Sequence, residues 1–122
     1  MEEPRRVLIA DDRPRSRRAL RAVLALERGI EVIGEAMDGQ QAVRLVEECE
    51  PDVVLIDAKM PVMDGLEATR RIKEQCPKVR VIVLTIHAGY RAEALAAGAD
   101  ALLVKGCSAK DLVEAILEER RR

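Results

Sequence analysis

The sequence predicts an α/β fold, a five-stranded parallel sheet with helices on both faces. Five short aliphatic runs, most rich in β-branched residues, recur along the chain. Between them the apolar spacing changes to a helical stripe, and this alternation is the pattern of a parallel sheet covered on both sides. A length of 122 residues, 48% of them hydrophobic, suits one domain with a full core. That core must be aliphatic, because Tyr90 is the sole aromatic residue.

Each element has its own signals. The first run is Val7–Ala10, with Asp11 and Asp12 directly after it. Pro14 suits a first helical turn, and Ala19, Leu20, Val23 and Leu24 form the stripe of that helix. Val32–Ile33 is a weaker second run. Asp38 can cap the second helix, striped by Ala42, Val43 and Val46, and Pro51 lies where the chain must turn. Val53–Ile56 is the third run and Asp57 closes it. Asp64 can cap a third helix carrying Leu66, Ala68 and Ile72, and Pro77 lies just beyond it. Val79–Leu84 is the fourth run, ending at Thr85. Ala101–Val104 is the fifth, ending at Lys105. Ser108 can cap a last helix striped by Leu112, Val113, Ile116 and Leu117. Residues 118–122 read as a frayed helix end or the start of a linker, their arginines as a solvated terminus. No Gly/Ser/Pro-rich linker or internal repeat divides the chain, so residues 1–122 read as one domain.

Composition excludes several functions. The formal net charge of -1, from 21 basic and 22 acidic residues, leaves no electrostatic footprint for direct nucleic-acid binding. Cys49, Cys76 and Cys107 are far apart, and with His87 as the single histidine they make no zinc pattern. Such a sparse, odd set reads as reduced thiols in a cytoplasmic protein. No apolar run approaches the ~20 residues of a membrane span. The polar amino-terminal segment, residues 1–6, is not a signal peptide.

Chemistry collects where the strands end. Asp11, Asp12, Asp57, Thr85 and Lys105 all fall at carboxyl-terminal strand edges, the side of an open parallel sheet that holds the ligand crevice. With strand order 2-1-3-4-5, the switch point lies between strands 1 and 3, and the three aspartates converge there. Three adjacent carboxylates repel unless a counter-charge is present. Mg²⁺ supplies one, because it takes oxygen ligands and commonly uses one or two carboxylates. Lys105 offers a compact charge for an anionic group, and Thr85 a hydroxyl donor. A carboxylate nucleophile, a metal, a cation and a hydroxyl together fit aspartyl-phosphate chemistry. Each residue also has an ordinary reading. Asp11 and Asp12 could form a turn and cap, Asp57 an exposed loop carboxylate, Thr85 a strand residue and Lys105 a surface charge. Chance does not easily give four strands matching polar ends.

At these residues the sequence resembles the response-regulator receiver family, over about Val7 to Leu117. The most specific match is Asp57, Met60, Pro61, Met63, Asp64 and Gly65 in the spacing Asp-x-x-Met-Pro-x-Met-Asp-Gly. Asp11 and Asp12 after Val-Leu-Ile-Ala, Thr85 after Val-Leu, Gly98-Ala-Asp and Lys105 after Leu-Val complete it. The resemblance implies a flavodoxin-like (βα)5 fold. It also implies that Asp57 is the phosphoacceptor and that Mg²⁺ is held by Asp11, Asp12, Asp57 and the backbone carbonyl of Lys59. Thr85 would be the switch hydroxyl and Lys105 the phosphoryl contact. A sensor histidine kinase, or slowly a small phosphodonor, would supply the phosphate. The face of the fourth helix, fifth strand and fifth helix would then respond. Gly65 would let the third helix start close to the site, and Gly98 would end the fourth.

Lys105 followed by Gly106, with Gly98-Ala-Asp-Ala, most resembles receivers of the LuxR/NarL-like subclass. Those carry a C-terminal helix-turn-helix DNA-binding output domain, which this chain does not include, and homodimerisation is left open. Three departures stand out. The family's usual aromatic three residues before the lysine is Leu102 here, and Tyr90 is the one candidate substitute. The stretch from Thr85 to Gly98 is short, so the fourth helix should be reshaped. Gly106 replaces a common proline at a bond the family often keeps cis, and a non-proline cis bond costs about 2.5–4 kcal/mol. Lys59 and His87, two residues past Asp57 and Thr85, should flank the acyl phosphate and slow its hydrolysis. The alternatives are a phosphorylation-independent pseudo-receiver, a small Mg²⁺ phosphohydrolase and a flavin-binding flavodoxin. No second acid/base or substrate cap supports the hydrolase, and the acidic crevice would repel a flavin phosphate.

Overall fold

A computed structural model describes residues 3–118. Its elements run β1 (Arg5–Ala10), α1 (Pro14–Leu24), β2 (Ile30–Ala36), α2 (Gly39–Cys49), β3 (Val53–Asp57) and α3 (Gly65–Gln75). They continue with β4 (Arg80–Thr85), α4 (Arg91–Ala96), β5 (Ala101–Val104) and α5 (Ala109–Leu117). The five strands are parallel in the order β2-β1-β3-β4-β5, the flavodoxin-like arrangement expected.

Alternate strand residues supply the two cores. Leu8, Val54, Ile56, Val81 and Val83 bury one face under α2, α3 and α4 residues such as Val46, Ile72 and Ala94. Val7, Ile9, Val53, Leu55 and Ile82 bury the other under Leu24, Leu112 and Ile116 of α1 and α5. β3 and β4 are buried along their whole length, which explains their continuous apolar runs. β2 is an edge strand whose interior is half-buried or exposed, which explains its faint signal. It reaches well beyond Val32–Ile33 on both sides.

Local chemistry sets the helix boundaries. Asp38, Asp64 and Ser108 cap α2, α3 and α5, their side chains accepting from the N–H of Gln41, Glu67 and Asp111. Pro14 opens α1. The fourth helix is short, six residues after a 3₁₀ turn at Ala88–Tyr90, in keeping with the shortened stretch. Gly98 follows it at φ 100°, a left-handed conformation that ends helices and favours glycine. The described chain has no cis peptide bond, so Lys105–Gly106 is trans. Gly106 instead takes φ 96°, turning the chain through glycine's conformational freedom.

Arg80 is buried at the start of β4, and its guanidinium donates to Ala115 O at 3.0 Å and to Glu118 at 3.3 Å. Glu118 is therefore tied to the sheet, and the rest of the basic tail lies outside the described residues. Among the described residues no helix is long and apolar enough to cross a membrane.

Candidate functional site

β1 and β3 are adjacent, so their ends deliver Asp11 and Asp57 side by side. Asp11 is 1% exposed and Asp57 7%, while Asp12 stands in solvent. One carboxylate oxygen from each of Asp11, Asp12 and Asp57 lies within 4.8 Å of the others. From β5, Lys105 Nζ donates to Asp11 Oδ2 at 2.9 Å and to Asp57 Oδ2 at 3.0 Å. The remaining oxygens take backbone donors. Arg13 N–H reaches Asp11 Oδ1 at 2.9 Å, and Lys59 N–H reaches Asp57 Oδ1 at 3.3 Å.

Burial opposes the charge on Lys105 most strongly, but hydrogen bonds and attraction from Asp11 and Asp57 outweigh it and raise its pKa. The lysine therefore stays protonated. One ammonium faces three carboxylates, so negative charge remains in surplus. An all-oxygen donor set with one solvent-facing member, and no His or Cys in the cluster, fits a hard divalent cation.

Backbone contacts hold the nucleophile candidate still. Gly65 N–H donates to Ala58 O at 2.9 Å, and a Cβ on Gly65 would lie 1.9 Å from Asp57 O. No other residue type lets α3 begin so close to Asp57, as expected from sequence. Gly39 plays the same part for the loop before α3. Its N–H donates to Met63 O at 2.9 Å, and a Cβ there would lie 2.2 Å from that oxygen. Sequence reasoning missed Gly39, because the contact joins segments that have no signal in common. Within the loop, exposed Val62 has φ 70°, and Met63 N–H closes onto Pro61 O at 2.7 Å.

Thr85 ends β4, 2% exposed, and its Oγ1 accepts the His87 N–H at 3.2 Å. Lys105 N–H donates to Thr85 O at 2.7 Å, linking the hydroxyl strand to the lysine strand. Asp57, Lys59, Thr85, His87 and Tyr90 line one cleft beside the acidic cluster. Lys59 and His87 are exposed at its rim.

The profile of the response regulator receiver domain matches residues 7–117. The chain belongs to the receiver domain family of two-component response regulators. The transcriptional regulatory protein DegU of Brevibacillus brevis is 40% identical over 112 residues, covering 90% of this chain and 48% of that protein. The nitrate/nitrite response regulator NarL of Escherichia coli strain K12 is 34% identical over 117 residues, 94% of this chain and 54% of that protein. Among solved structures, the receiver domain of a NarL response regulator from Mycobacterium tuberculosis superposes with a TM-score of 0.90. It is 33% identical, and the match covers 95% of each chain. The LuxR/NarL-type resemblance therefore holds, and the chain spans about half the length of these curated relatives.

Two receiver features take their own form here. Leu102, at the usual aromatic position, is 5% exposed and packed into the core. Tyr90 packs partly against the same core, and its ring centre lies 6.0 Å from Lys59 Nζ. That contact across the cleft has no sequence signal. The three cysteines are unpaired and half-buried. Burial, then the nearby Asp111 charge, pushes the Cys107 thiol up, away from a reactive thiolate.

Proposed function

We propose that this receiver domain accepts a phosphoryl group on Asp57 and uses the change of charge there to switch its α4-β5-α5 face. The observation that carries this reading is Lys105 bridging Asp11 and Asp57 beside a third carboxylate. That arrangement is prepared for an incoming phosphoryl oxygen. An Asp57 oxygen forms the O–P bond as the bond from phosphorus to the donor breaks and the leaving group departs with its electron pair. Asp11, Asp12, Asp57 and the backbone carbonyl of Lys59 would hold Mg²⁺. Bound there, Mg²⁺ would offset negative charge on the phosphoryl oxygens. Lys105 can move its donor from Asp57 to a phosphoryl oxygen, and the Thr85 hydroxyl can donate to another. Movement of Thr85 would pull the His87–Tyr90 segment and shift a pre-existing equilibrium of that face.

A sensor histidine kinase is the proposed donor, in the cytoplasm. A C-terminal DNA-binding output domain is the proposed target, with residues 118–122 leading into its linker. DegU is a transcriptional regulatory protein and NarL a nitrate/nitrite response regulator, which supports that assignment. A homodimer is also proposed. Phosphate-affinity electrophoresis with acetyl phosphate and Mg²⁺ tests the central claim. Wild type should give a retarded band that Asp57→Ala lacks. No band in wild type would favour the pseudo-receiver, a reading supported by the buried Leu102 and the short α4.

A further inference from the structure

We propose that Arg17 is a positioning residue for the acidic loop, clamping the Asp11 backbone to the edge strand β2 through Glu35. The inference rests on the metal-binding reading above. Arg17 Nη1 donates to Asp11 O at 2.7 Å, and its Nε donates to Glu35 Oε1 at 2.9 Å. The other Glu35 oxygen is taken by Arg21. Only 13% of the Arg17 side chain is exposed.

The opposite flank of Asp11 is also held by β2, because Asp11 N–H donates to Ala36 O at 3.0 Å. Both peptide groups of Asp11 are thus fixed to consecutive β2 residues. The peptide plane that leads into exposed Asp12 is fixed with them. A planar guanidinium can span two acceptors at a set angle, whereas an ammonium acts as a point charge.

An irregularity in β2 makes the clamp possible. Val7 pairs with Val32, but Leu8 pairs with Gly34, so Ile33 is skipped. Glu35 consequently pairs with Ile9, whose side chain faces α1. A regular register would pair Glu35 with Ala10, on the opposite face, and place it out of reach of Arg17.

A clamp and a mere nearby charge predict opposite effects. A free positive charge repels a cation, so its removal would tighten Mg²⁺ binding. Loss of an outer partner that orients metal ligands typically weakens affinity by about 10–100-fold. The test is calorimetric titration of Mg²⁺ into the full chain, as wild type, Arg17→Ala, Arg17→Lys and Glu35→Gln, with urea unfolding in parallel. Arg17→Ala should weaken binding about tenfold or more. Arg17→Lys should not restore it, and Glu35→Gln, which keeps an acceptor, should lose less. Unchanged or tighter binding in the folded variants, beside a wild type that binds, overturns the clamp alone. A wild type that takes up no Mg²⁺ overturns the metal-binding reading together with it. If Arg17→Ala does not fold, the other two variants decide.

Discussion

Lys105 lies 48 residues after Asp57, yet its ammonium sits 3.0 Å from the Asp57 carboxylate and holds Asp11 equally closely. Only the adjacency of β1 and β3, with β4 carrying β5 alongside, brings these groups together. The resting site is therefore already neutralised in part, and on the proposed function a phosphoryl group arriving at Asp57 would replace carboxylate contacts of a charge that is in place.

Lys105→Ala should separate metal binding from phosphorylation. The ammonium would repel a cation held by Asp11 and Asp57, since unit charges about 4 Å apart interact by roughly 4 kcal/mol at an effective dielectric of 20. Screening and side-chain motion reduce this, so Mg²⁺ affinity should rise about fivefold to tenfold. Phosphorylation by acetyl phosphate should instead slow by about a hundredfold, as a transition-state contact is lost. Calorimetry and a timed gel assay read the two effects, and parallel changes would contradict the separation.

The loop after Asp57 should respond oppositely to two small substitutions. Gly65→Ala places a methyl 1.9 Å from Asp57 O, so α3 must shift, at a cost of about 2–4 kcal/mol. Val62 holds φ 70° and is 76% exposed, so Val62→Gly removes backbone strain and almost no packing. The left-handed region costs an ordinary residue about 1–2 kcal/mol, against about 0.5–1 for glycine's added chain entropy. A small gain, up to about 1 kcal/mol, should appear in urea unfolding.

Lys59 and His87 stand at the rim of the Asp57 cleft, with Lys59 also 6.0 Å from the Tyr90 ring centre. On the proposed phosphorylation of Asp57, long side chains there would obstruct a water approaching the acyl phosphate. Lys59→Ala with His87→Ala should speed dephosphorylation about tenfold, a barrier change of about 1.4 kcal/mol. The decay of radiolabelled protein measures it, and an unchanged half-life removes both residues from the kinetics.

Glu35 gives the fold a pH signature. The Arg21 hydrogen bond, opposed by burial and aided by Arg17, lowers its pKa. A carboxyl depressed on folding stabilises the protein above its unfolded pKa, and that stability is lost as pH falls through the folded value. Wild type should therefore exceed Glu35→Gln in melting temperature near neutral pH, and the gap should close below the ordinary carboxyl range. A gap that widens on acidification would contradict the assignment.

The sequence by itself determined the strands, their alternation with helices, and the caps at Asp38, Asp64 and Ser108. Those depend on local periodicity and on side chains reaching a few residues along the chain. It also marked Asp11, Asp12, Asp57, Thr85 and Lys105, because each closes an apolar run whose end must lie at one edge of the sheet. The tertiary structure alone decided what those residues touch. The Lys105 bridge joins the ends of three strands, and the Gly39 contact with Met63 joins the start of α2 to the loop before α3. Glu35 faces Arg17 only because β2 skips one residue in its pairing. A one-residue change of register reverses which face a side chain occupies, and strand pairing is a property of two segments, so neither segment's sequence records it.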